Sequence, residues 1–595
     1  MRRRTLLAAS GLAASSPAWP RGERAAKTLR ITIPAAETSF DAVQNNTDLY
    51  SNTVCAHIFE APIAFDYLAR PVRLVAKTAL ALPEISADYR TLIFRIRPGI
   101  YFADDPAFKG RKRELVAEDY VYTIKRYYDP RWKAADLYVF TNAKLVGLAE
   151  LRERALKSKR AFDYDSVVDG ARALDRYTLQ IKLGQADPRF VYNFANSWLM
   201  GAVAREVVEF YGDEVGAHPV GTGAFRLAEW RRASRIELVR SPSYRGSVYD
   251  GTPADDPQAQ AIAARLAGKR MPLLDRIVID VIDEPQPRWL AFVNGEHDLL
   301  EVPGSFAPLS VPHGKLAPFL AKKGVRLQTS QQPDMAMTFF NFQHPLVGGY
   351  TPEKVALRRA VALAFDNATY IRLVRGELGI PAQSTIPPFT SGYDPGYRSE
   401  MSEYDPTKAR ALLDLYGYVD RNGDGWRETP QGEPLVLRIG GMADQASRTL
   451  NELWQRALTA IGVRVQFDIA PWAELLKRDR AGTLMMWGYS WSAASPDGGF
   501  FLSIAYGPNG DEANDSRFAL PAFDRLFERQ GRLPDGPERD ALMRQAKNMM
   551  VAYMPYKVHA HRIMADLTQP WVQHFWRHPF MRDTWGFLDV EASPA

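Results

Sequence analysis

The chain has 595 residues, which exceeds the size at which a single hydrophobic core stops growing, so two or three domains are expected. Hydrophobic residues make up 46% and charged residues 24%, as in an ordinary globular protein. The formal charge of +6 is small for this length and spread along the chain, which argues against a nucleic-acid-binding protein. The 26 Tyr, 29 Phe and 13 Trp are a large aromatic complement, which suits a large cleft.

The first residues have the pattern of an export signal. Three arginines, Arg2–Arg4, precede an uncharged run over residues 5–18, a basic region followed by a short apolar one. The arginines resemble a twin-arginine signal, although Thr5 stands where an aromatic residue is usual, so Sec export stays open. We predict a signal peptide over residues 1–26 and a mature protein that is free in a periplasm-like space. The only cysteine, Cys55, is far from the signal, which excludes a lipid anchor and an internal disulfide.

The first predicted elements are a strand and a helix. Apolar and polar residues alternate over Leu92–Arg97, and Pro98–Gly99 then marks a turn. Apolar residues recur at helical spacing over Tyr120–Tyr128 until Asp129 and the proline after it stop the pattern.

A glycine-rich turn followed by a hairpin is predicted next. Gly221 and Gly223 allow positive φ or a close backbone approach, and the runs Phe225–Ala228 and Ile236–Val239 alternate as strands do. A nucleotide site would need a strand, a glycine loop and a helix in succession, and this order is absent from the segment. The glycines therefore indicate a turn.

A helix with a buried face formed by Leu357, Val361 and Ala364 is predicted in the second half of the chain. Thr351 and the proline after it can start this helix, and Asn367 can cap the next one.

The clearest evidence for the fold class is a strand, a helix and a strand in succession. The strands are predicted at Leu435–Ile439 and Val463–Ile469, and the helix between them has one apolar face over Leu450–Ile461. Gly462 ends the helix. Such a βαβ unit predicts an α/β protein with at least some parallel strand pairing.

Several of these segments, in this order, resemble signatures of the extracellular solute-binding proteins of family 5, the peptide-, opine- and nickel-type receptors of ABC importers. The matching segments are Leu92–Phe102 with Ala117–Tyr122, Pro219–Tyr244, Leu357–Asp366 and Trp487–Asp497. The resemblance implies a two-lobed α/β fold with mixed sheets and helices, an extra insertion domain, and a ligand cleft between the lobes.

The resemblance also implies that the domains are discontinuous. The first lobe is expected to combine residues 27–58, 217–295 and 563–595. An insertion domain over residues 59–216 would pack on this lobe, and residues 296–562 would form the second lobe.

Candidate ligand contacts follow from the same resemblance. In the family's peptide receptors a tryptophan lines the cleft and an aspartate three residues later pairs with the peptide's α-ammonium. Here Trp491 matches the tryptophan, but Ala494 stands where the aspartate should be. A buried ammonium without a carboxylate is costly, so Asp497 is considered as a substitute. The candidate ligand-binding residues are Tyr50, Ser51, Asn52, Trp472, Arg478, Trp491, Ser492 and Asp497.

Two patterns raise the possibility of a metal site. Asp420, Asn422 and Asp424 have the spacing of a calcium loop, but Gln431 replaces the bidentate glutamate at its twelfth position, so a plain turn and a weak cation site both stay open. His559 and the histidine two residues later invite a zinc hypothesis, but no third ligand motif is visible and a structural role is favoured. No metal and no cofactor are expected.

The function predicted from the sequence is that of a periplasmic receptor for an ABC importer. A monomer would capture an oligopeptide-like solute by hinge closure and deliver it to an inner-membrane permease, without catalysis. Because the aspartate is replaced by Ala494, a non-peptide solute such as an opine, another amino-acid derivative or an oligosaccharide is the alternative. A secreted hydrolase is a remote alternative, because no nucleophile motif is present. A calcium-dependent adhesion or scaffold protein is a further rival.

Overall fold

The computed structural model describes residues 26–45, 48–510 and 512–591. The predicted signal peptide, residues 1–26, lies outside the described residues except for its last residue. Within the described ranges, no helix is both long and apolar enough to cross a membrane.

The strands of the described chain are, in order, β1 (Thr28–Ile33), β2 (Ile63–Phe65), β3 (Leu74–Ala76), β4 (Glu84–Ile85), β5 (Thr91–Arg95), β6 (Ala171–Asp175), β7 (Thr178–Lys182), β8 (Phe225–Arg231), β9 (Arg235–Arg240), β10 (Ser247–Val248), β11 (Arg270–Met271), β12 (Arg276–Val281), β13 (Leu299–Glu301), β14 (Arg326–Gln331), β15 (Asp334–Phe340), β16 (Gly379–Pro381), β17 (Val436–Gly441), β18 (Arg464–Ile469), β19 (Met486–Ser492), β20 (Tyr556–Thr568), β21 (Val572–Gln573) and β22 (Asp589–Val590).

The α-helices are α1 (Leu49–Ile58), α2 (Ala117–Tyr128), α3 (Leu137–Ala143), α4 (Leu148–Ser158), α5 (Ser197–Met200), α6 (Arg205–Tyr211), α7 (Pro257–Leu266), α8 (Pro285–Val293), α9 (Ala307–Ser310), α10 (Pro318–Lys322), α11 (Pro352–Ala364), α12 (Asn367–Val374), α13 (Pro406–Leu415), α14 (Gln445–Ala460), α15 (Trp472–Arg480), α16 (Phe500–Ser503), α17 (Pro521–Arg532) and α18 (Pro537–Tyr553).

One 12-stranded mixed sheet runs through both lobes, in the order β18-β17-β19-β15-β20-β13-β1-β12-β9-β8, with β14 and β16 also paired to β20. In the first lobe β1 is parallel to β12 and β13, and β12 is antiparallel to β9. In the second lobe β17 is parallel to β18, and β15 is antiparallel to β19. The fold class is therefore α/β with mixed sheets, as predicted.

The two halves of this sheet are joined by the long strand β20. Its first residues pair with β15 and β16 in the second lobe, and its last residues pair with β13 and β14 in the first. The chain also crosses between the halves at Gln332 and Pro333, between β14 and β15. Because β13 pairs with β1, and β14 pairs with the first-lobe end of β20, we propose that the second lobe begins near residue 332 instead of residue 296.

The insertion segment forms a separate antiparallel sheet in the order β4-β5-β7-β6. A buried ion pair fastens this segment to the first lobe, because the guanidinium of Arg126 on α2 binds both carboxylate oxygens of Asp41 over 2.7 and 2.8 Å. Both side chains are almost completely buried. The contact supports the proposed packing of residues 59–216 on the first lobe.

The predicted hairpin is confirmed as the antiparallel pair β8 and β9. Neither glycine of its preceding turn has a positive φ. A Cβ on Gly221 would come within 2.0 Å of the backbone oxygen of Ile58, and one on Gly223 within 2.5 Å of the same atom. The glycines are therefore required for close packing against the end of α1.

The βαβ unit is also confirmed, as β17, α14 and β18. One helix cap was predicted wrongly. Asp366, not Asn367, caps α12, and its carboxylate accepts from the backbone N–H groups of Ala368 and Thr369. Asn367 is buried instead, and its amide donates to the backbone oxygen of Val558 over 3.2 Å.

Candidate ligand-binding site

The two chain crossings between the lobes are tied together by an ion pair. Asp334 begins β15 and Arg562 lies in the middle of β20. The Arg562 Nε donates to Asp334 Oδ2 over 2.7 Å, and the Arg562 backbone N–H donates to Oδ1 over 3.0 Å. Burial acts to lower the pKa of Arg562, but the Asp334 carboxylate outweighs it, so the pKa is raised above its usual value. Arg562 stays charged.

A cavity of about 210 Å³ lies against these crossings and is lined by both lobes. The first lobe contributes residues of β1, α1 and β13, and the second contributes the start of β15 and the end of β19. The segment that follows β21 closes another side. The residues that line it include Tyr50, Glu301, Asp334, Ser492, Arg562, Asp566, Arg577, His578, Arg582 and Trp585.

Most charges on the cavity wall are paired within the protein. Besides Asp334 and Arg562, Asp566 binds Arg577, with 2.5 Å between Asp566 Oδ1 and Arg577 Nη2. Burial raises the pKa of Asp566, although Arg577 opposes the shift. Arg577 also lies 3.4 Å from a carboxylate oxygen of Glu301. Arg582 differs, because no carboxylate among the described residues forms an ion pair with it.

Two of the predicted site residues lie on this cavity. Tyr50 is on the first turn of α1, and Ser492 is the last residue of β19. The Ser492 hydroxyl oxygen is 3.4 Å from Arg562 Nη2. Burial raises the pKa of Tyr50, so its hydroxyl is neutral at physiological pH. Each lobe thus contributes one of the predicted residues to the cavity wall.

Ser51 and Asn52 are also on α1, but they are buried and do not line the cavity. The Ser51 hydroxyl oxygen accepts from the backbone N–H of Thr38 over 2.9 Å, and Asn52 Oδ1 accepts from Asn45 Nδ2 over 2.6 Å. Successive helix residues point in different directions, so only Tyr50 of the three reaches the cavity wall.

Trp472 and Trp491 belong to a row of ring contacts in the second lobe, which we call the aromatic row. Its members are Trp472, Trp487, Tyr489, Trp491 and Phe500, whose neighbouring ring centres are 4.9 to 6.4 Å apart. Trp472 is 39% exposed at the start of α15. Trp491 is partly buried, and its Nε1 has no hydrogen-bond partner among the described residues. Neither tryptophan lines the cavity itself.

Asp497 is engaged by two arginines. Arg539 donates to Asp497 Oδ1, and Arg189, from the insertion segment, lies 3.5 Å from Oδ2. Arg189 also donates to the backbone oxygens of Leu533 and Gly531 over 2.8 and 2.7 Å. Burial acts to raise the pKa of Asp497, but the arginines outweigh it and lower the pKa. In this arrangement Asp497 joins the insertion domain to the second lobe, and its charge is already neutralised.

Arg478 is directed toward β18. Its Nη2 is 3.1 Å from a carboxylate oxygen of Asp468, which also binds Arg438. Arg478 does not line the cavity. The backbone oxygen of Ala494 accepts from Asn196 Nδ2 over 3.2 Å, a second contact between the insertion segment and the second lobe.

The cavity residues Asp334, Arg562 and Arg582 were not predicted from the sequence. No motif surrounds them, and Asp334 and Arg562 are more than 200 residues apart, as the contact between them shows. The one available signal in the sequence was Asp334, a charged residue at the start of a mostly apolar strand. A buried charge needs a partner, so such a residue indicates an ion pair.

The acidic residues of the predicted calcium loop lie close together. Carboxylate oxygens of Asp420, Asp424 and Glu428 lie within 4.8 Å of one another. Asp420 also accepts from the backbone N–H groups of two glycines, and Asp424 pairs with Arg464 over 2.6 Å. These bonds are those of a compact turn.

The two histidines of β20 are both buried and hydrogen-bonded within the second lobe. His559 Nε2 lies 2.9 Å from the Thr338 hydroxyl oxygen, and His561 Nδ1 lies 2.9 Å from the backbone oxygen of Asp334. They therefore have separate partners on β15.

Two lobes joined by two chain crossings, with a cavity between them, define a two-lobed solute-binding protein. The sequence matches the family model described as bacterial extracellular solute-binding proteins, family 5 middle, over residues 73–513. Since this match covers most of the chain, the protein belongs to that family.

Similar curated proteins include di/tripeptide-binding protein 2 of Pseudomonas aeruginosa, 26% identical, with 91% of this chain and 90% of the relative aligned. Heme-binding protein A of Haemophilus influenzae is 23% identical over 85% of this chain and 83% of its own length. Among solved structures, the periplasmic binding protein DppA of Helicobacter pylori in complex with the peptide STSA has a TM-score of 0.75 at 20% identity, covering 95% of this chain and 98% of that one. OppA of Burkholderia pseudomallei has a TM-score of 0.75 at 17% identity, covering 96% and 100%.

Proposed function

We propose that the protein is a receptor of an ABC importer that binds a short peptide or a related solute between its lobes. The observation that carries the proposal is the cavity at the two chain crossings, because residues of both lobes line it. A solute there would contact both lobes at once and stabilise the closed arrangement. The relatives named as di/tripeptide-binding proteins support a peptide as the solute.

The alternative is a non-peptide solute, such as an opine, another amino-acid derivative or an oligosaccharide. Ala494 offers no side-chain carboxylate to an ammonium group, and the nearby Asp497 is bound by two arginines. A relative named as a heme-binding protein also supports a wider range of solutes in this family. A peptide with a free amine would therefore need a different acidic partner.

We propose that the receptor acts as a periplasmic monomer after export, by the twin-arginine route if the arginines at its start act as that signal. Its protein partner would be the permease of an inner-membrane ABC importer. The closed form would present a permease-binding surface that spans the two lobes. No chemical change of the solute is part of this function.

A thermal-shift screen of the purified mature protein tests the proposal. The panel would contain di- and tripeptides, octopine as an opine, and cello-oligosaccharides, each with and without calcium and a chelator. We expect peptides to raise the melting temperature by several degrees, because a ligand at 100 times its Kd adds about 2.7 kcal/mol of stability. If only octopine or the sugars raise the melting temperature, the non-peptide alternative replaces the peptide proposal. A response to calcium alone would favour a scaffold protein.

A further inference from the structure

Arg582 is the cation of the cavity wall without a carboxylate partner among the described residues. The other two arginines that line the cavity, Arg562 and Arg577, each bind a buried aspartate through at least two nitrogens. No hydrogen bond or ion pair is formed by the Arg582 side chain within the described chain, and its Nε is buried. The Nε of this guanidinium has therefore lost contact with water without gaining a hydrogen-bond partner.

Two carboxylates are neighbours of Arg582, Asp583 in the chain and Asp48 by electrostatic interaction, and both have other partners. Asp583, the next residue, pairs with Lys77 over 2.5 Å. Asp48 caps α1 and accepts from the backbone N–H groups of Tyr50 and Ser51 over 3.1 and 3.2 Å. Burial lowers the pKa of Arg582 to about 10, with Asp48 opposing the shift, so the side chain is still charged at neutral pH.

The backbone that carries Arg582 is held in place by other contacts. His578 Nδ1 accepts from the backbone N–H groups of Phe580 and Met581 over 3.0 and 2.8 Å. On the other side of Arg582, the indole of Trp585 stacks on His57 with 4.2 Å between ring centres. The Arg582 guanidinium itself lies 5.9 Å from the centre of the Trp198 ring. Because this backbone is fixed, only the Arg582 side chain has to be ordered when it binds an anion.

We propose that Arg582 anchors an anionic group of the solute in the interlobe cavity. The planar guanidinium offers two parallel N–H groups, which fit a carboxylate or a phosphate equally well. For a peptide, that group would be the terminal carboxylate. This inference rests on the proposed function for the place where the solute binds. What it adds is the kind of chemical group, an anion, that Arg582 binds.

The test compares pairs of probes that differ in one anionic group. Trialanine is paired with trialanine amide, and glucose 6-phosphate with glucose, and binding is measured by calorimetry. We expect the wild-type protein to bind the anionic member about 10- to 100-fold more tightly, the range for a hydrogen bond to a charged group. Arg582→Gln should abolish this preference, and Arg582→Lys should keep part of it, because lysine retains the charge without the fork.

The matched control is Arg525→Gln, which removes an exposed arginine of α17 that has no ion pair among the described residues. It should leave the preference unchanged. Equal binding of both members of a pair by the wild type, or an unchanged preference in Arg582→Gln, would overturn the role of Arg582 while leaving peptide binding intact. A preference for glucose 6-phosphate that depends on Arg582, without any binding of trialanine, would support Arg582 and overturn the peptide proposal. If none of the four probes binds the wild type, both proposals fail for these ligand classes.

Discussion

Asp334 and Arg562 join the two chain segments that cross between the lobes, with 2.7 Å between Asp334 Oδ2 and Arg562 Nε. Asp334 is almost completely buried, and Arg562 is largely buried. Both residues also line the interlobe cavity. A solute in the cavity would therefore contact the residues that fix the relative position of the crossing strands, and we expect its binding to be coupled to lobe movement.

Asp334→Asn removes the negative charge and leaves the Arg562 guanidinium buried without its partner. We expect the free energy of unfolding to fall by about 3 kcal/mol, as when one member of a buried ion pair is removed. Urea unfolding would show this as an earlier midpoint. The control is Glu84→Gln, because the pair of Glu84 with Arg95 is exposed by 67% and 57% and should contribute less than about 0.5 kcal/mol. Equal losses in both variants would contradict the prediction.

Arg189 connects the insertion domain to the second lobe through Asp497 and two backbone oxygens. Arg189→Gln should weaken this connection while the Asp497 pair with Arg539 remains. We expect the ratio of closed to open protein to fall roughly tenfold, the equivalent of one charge-assisted hydrogen bond. Small-angle scattering would detect a larger radius of gyration.

Arg205→Gln serves as the control for this change, because the ion pairs of Arg205 among the described residues, with Asp165 and Glu209, lie within the insertion segment. Its scattering profile should match that of the wild type. If Arg189→Gln also scatters like the wild type, the contact does not govern closure.

The strands and helices could be predicted because their evidence is local. The alternation of β8 and β9 and the apolar face of α14 are visible in single segments, and both are confirmed. The cap of α12 was predicted one residue too late. Asp366 and Asn367 are both good capping residues, and only the backbone path decides between them. The fold class followed from the βαβ unit.

The site was less predictable because its charges depend on distant partners. Tyr50 and Ser492, two of the candidate contacts taken from the family resemblance, line the cavity. Asp497 could not be recognised as a bound carboxylate, because one of its arginines, Arg189, is about 300 residues away in the chain. Arg582 stands out only when the pairing of every other charge on the cavity wall is known.

Asp136, just before α3, is predicted to make stability depend on pH. Burial raises the pKa of its carboxyl group to about 7, while Arg480 opposes the shift. The unfolded chain releases this proton near pH 3.8, so between pH 3.8 and 7 the folded state holds more protons than the unfolded state. Stability contributed by the protonated group is therefore complete below pH 3.8 and is lost as the pH rises through 7.

Asp136→Asn should remove this dependence, so at pH 8 the variant should be more stable than the wild type by roughly 2 to 4 kcal/mol. The measurement is urea unfolding from pH 4 to pH 8. Asp88→Asn is the control, because a hydrogen bond from Ser86 lowers the pKa of the exposed Asp88 and this variant should not gain stability at pH 8. Parallel pH profiles for the wild type and Asp136→Asn would contradict the prediction.

Substitution of Trp491 shows whether the solute extends from the cavity onto the aromatic row. Its ring centre is 5.5 Å from that of Phe500, and it comes directly before Ser492, which lines the cavity. Trp491→Ala should weaken binding of the best peptide from the thermal screen by about 1 kcal/mol or more, because a stacked aromatic ring is lost. Trp426→Ala is the matched control, since Trp426 lies in the loop after α13 against Arg464 and not in the aromatic row. Calorimetry of both variants at one temperature separates the effects, and an unchanged affinity in Trp491→Ala would confine the solute to the cavity.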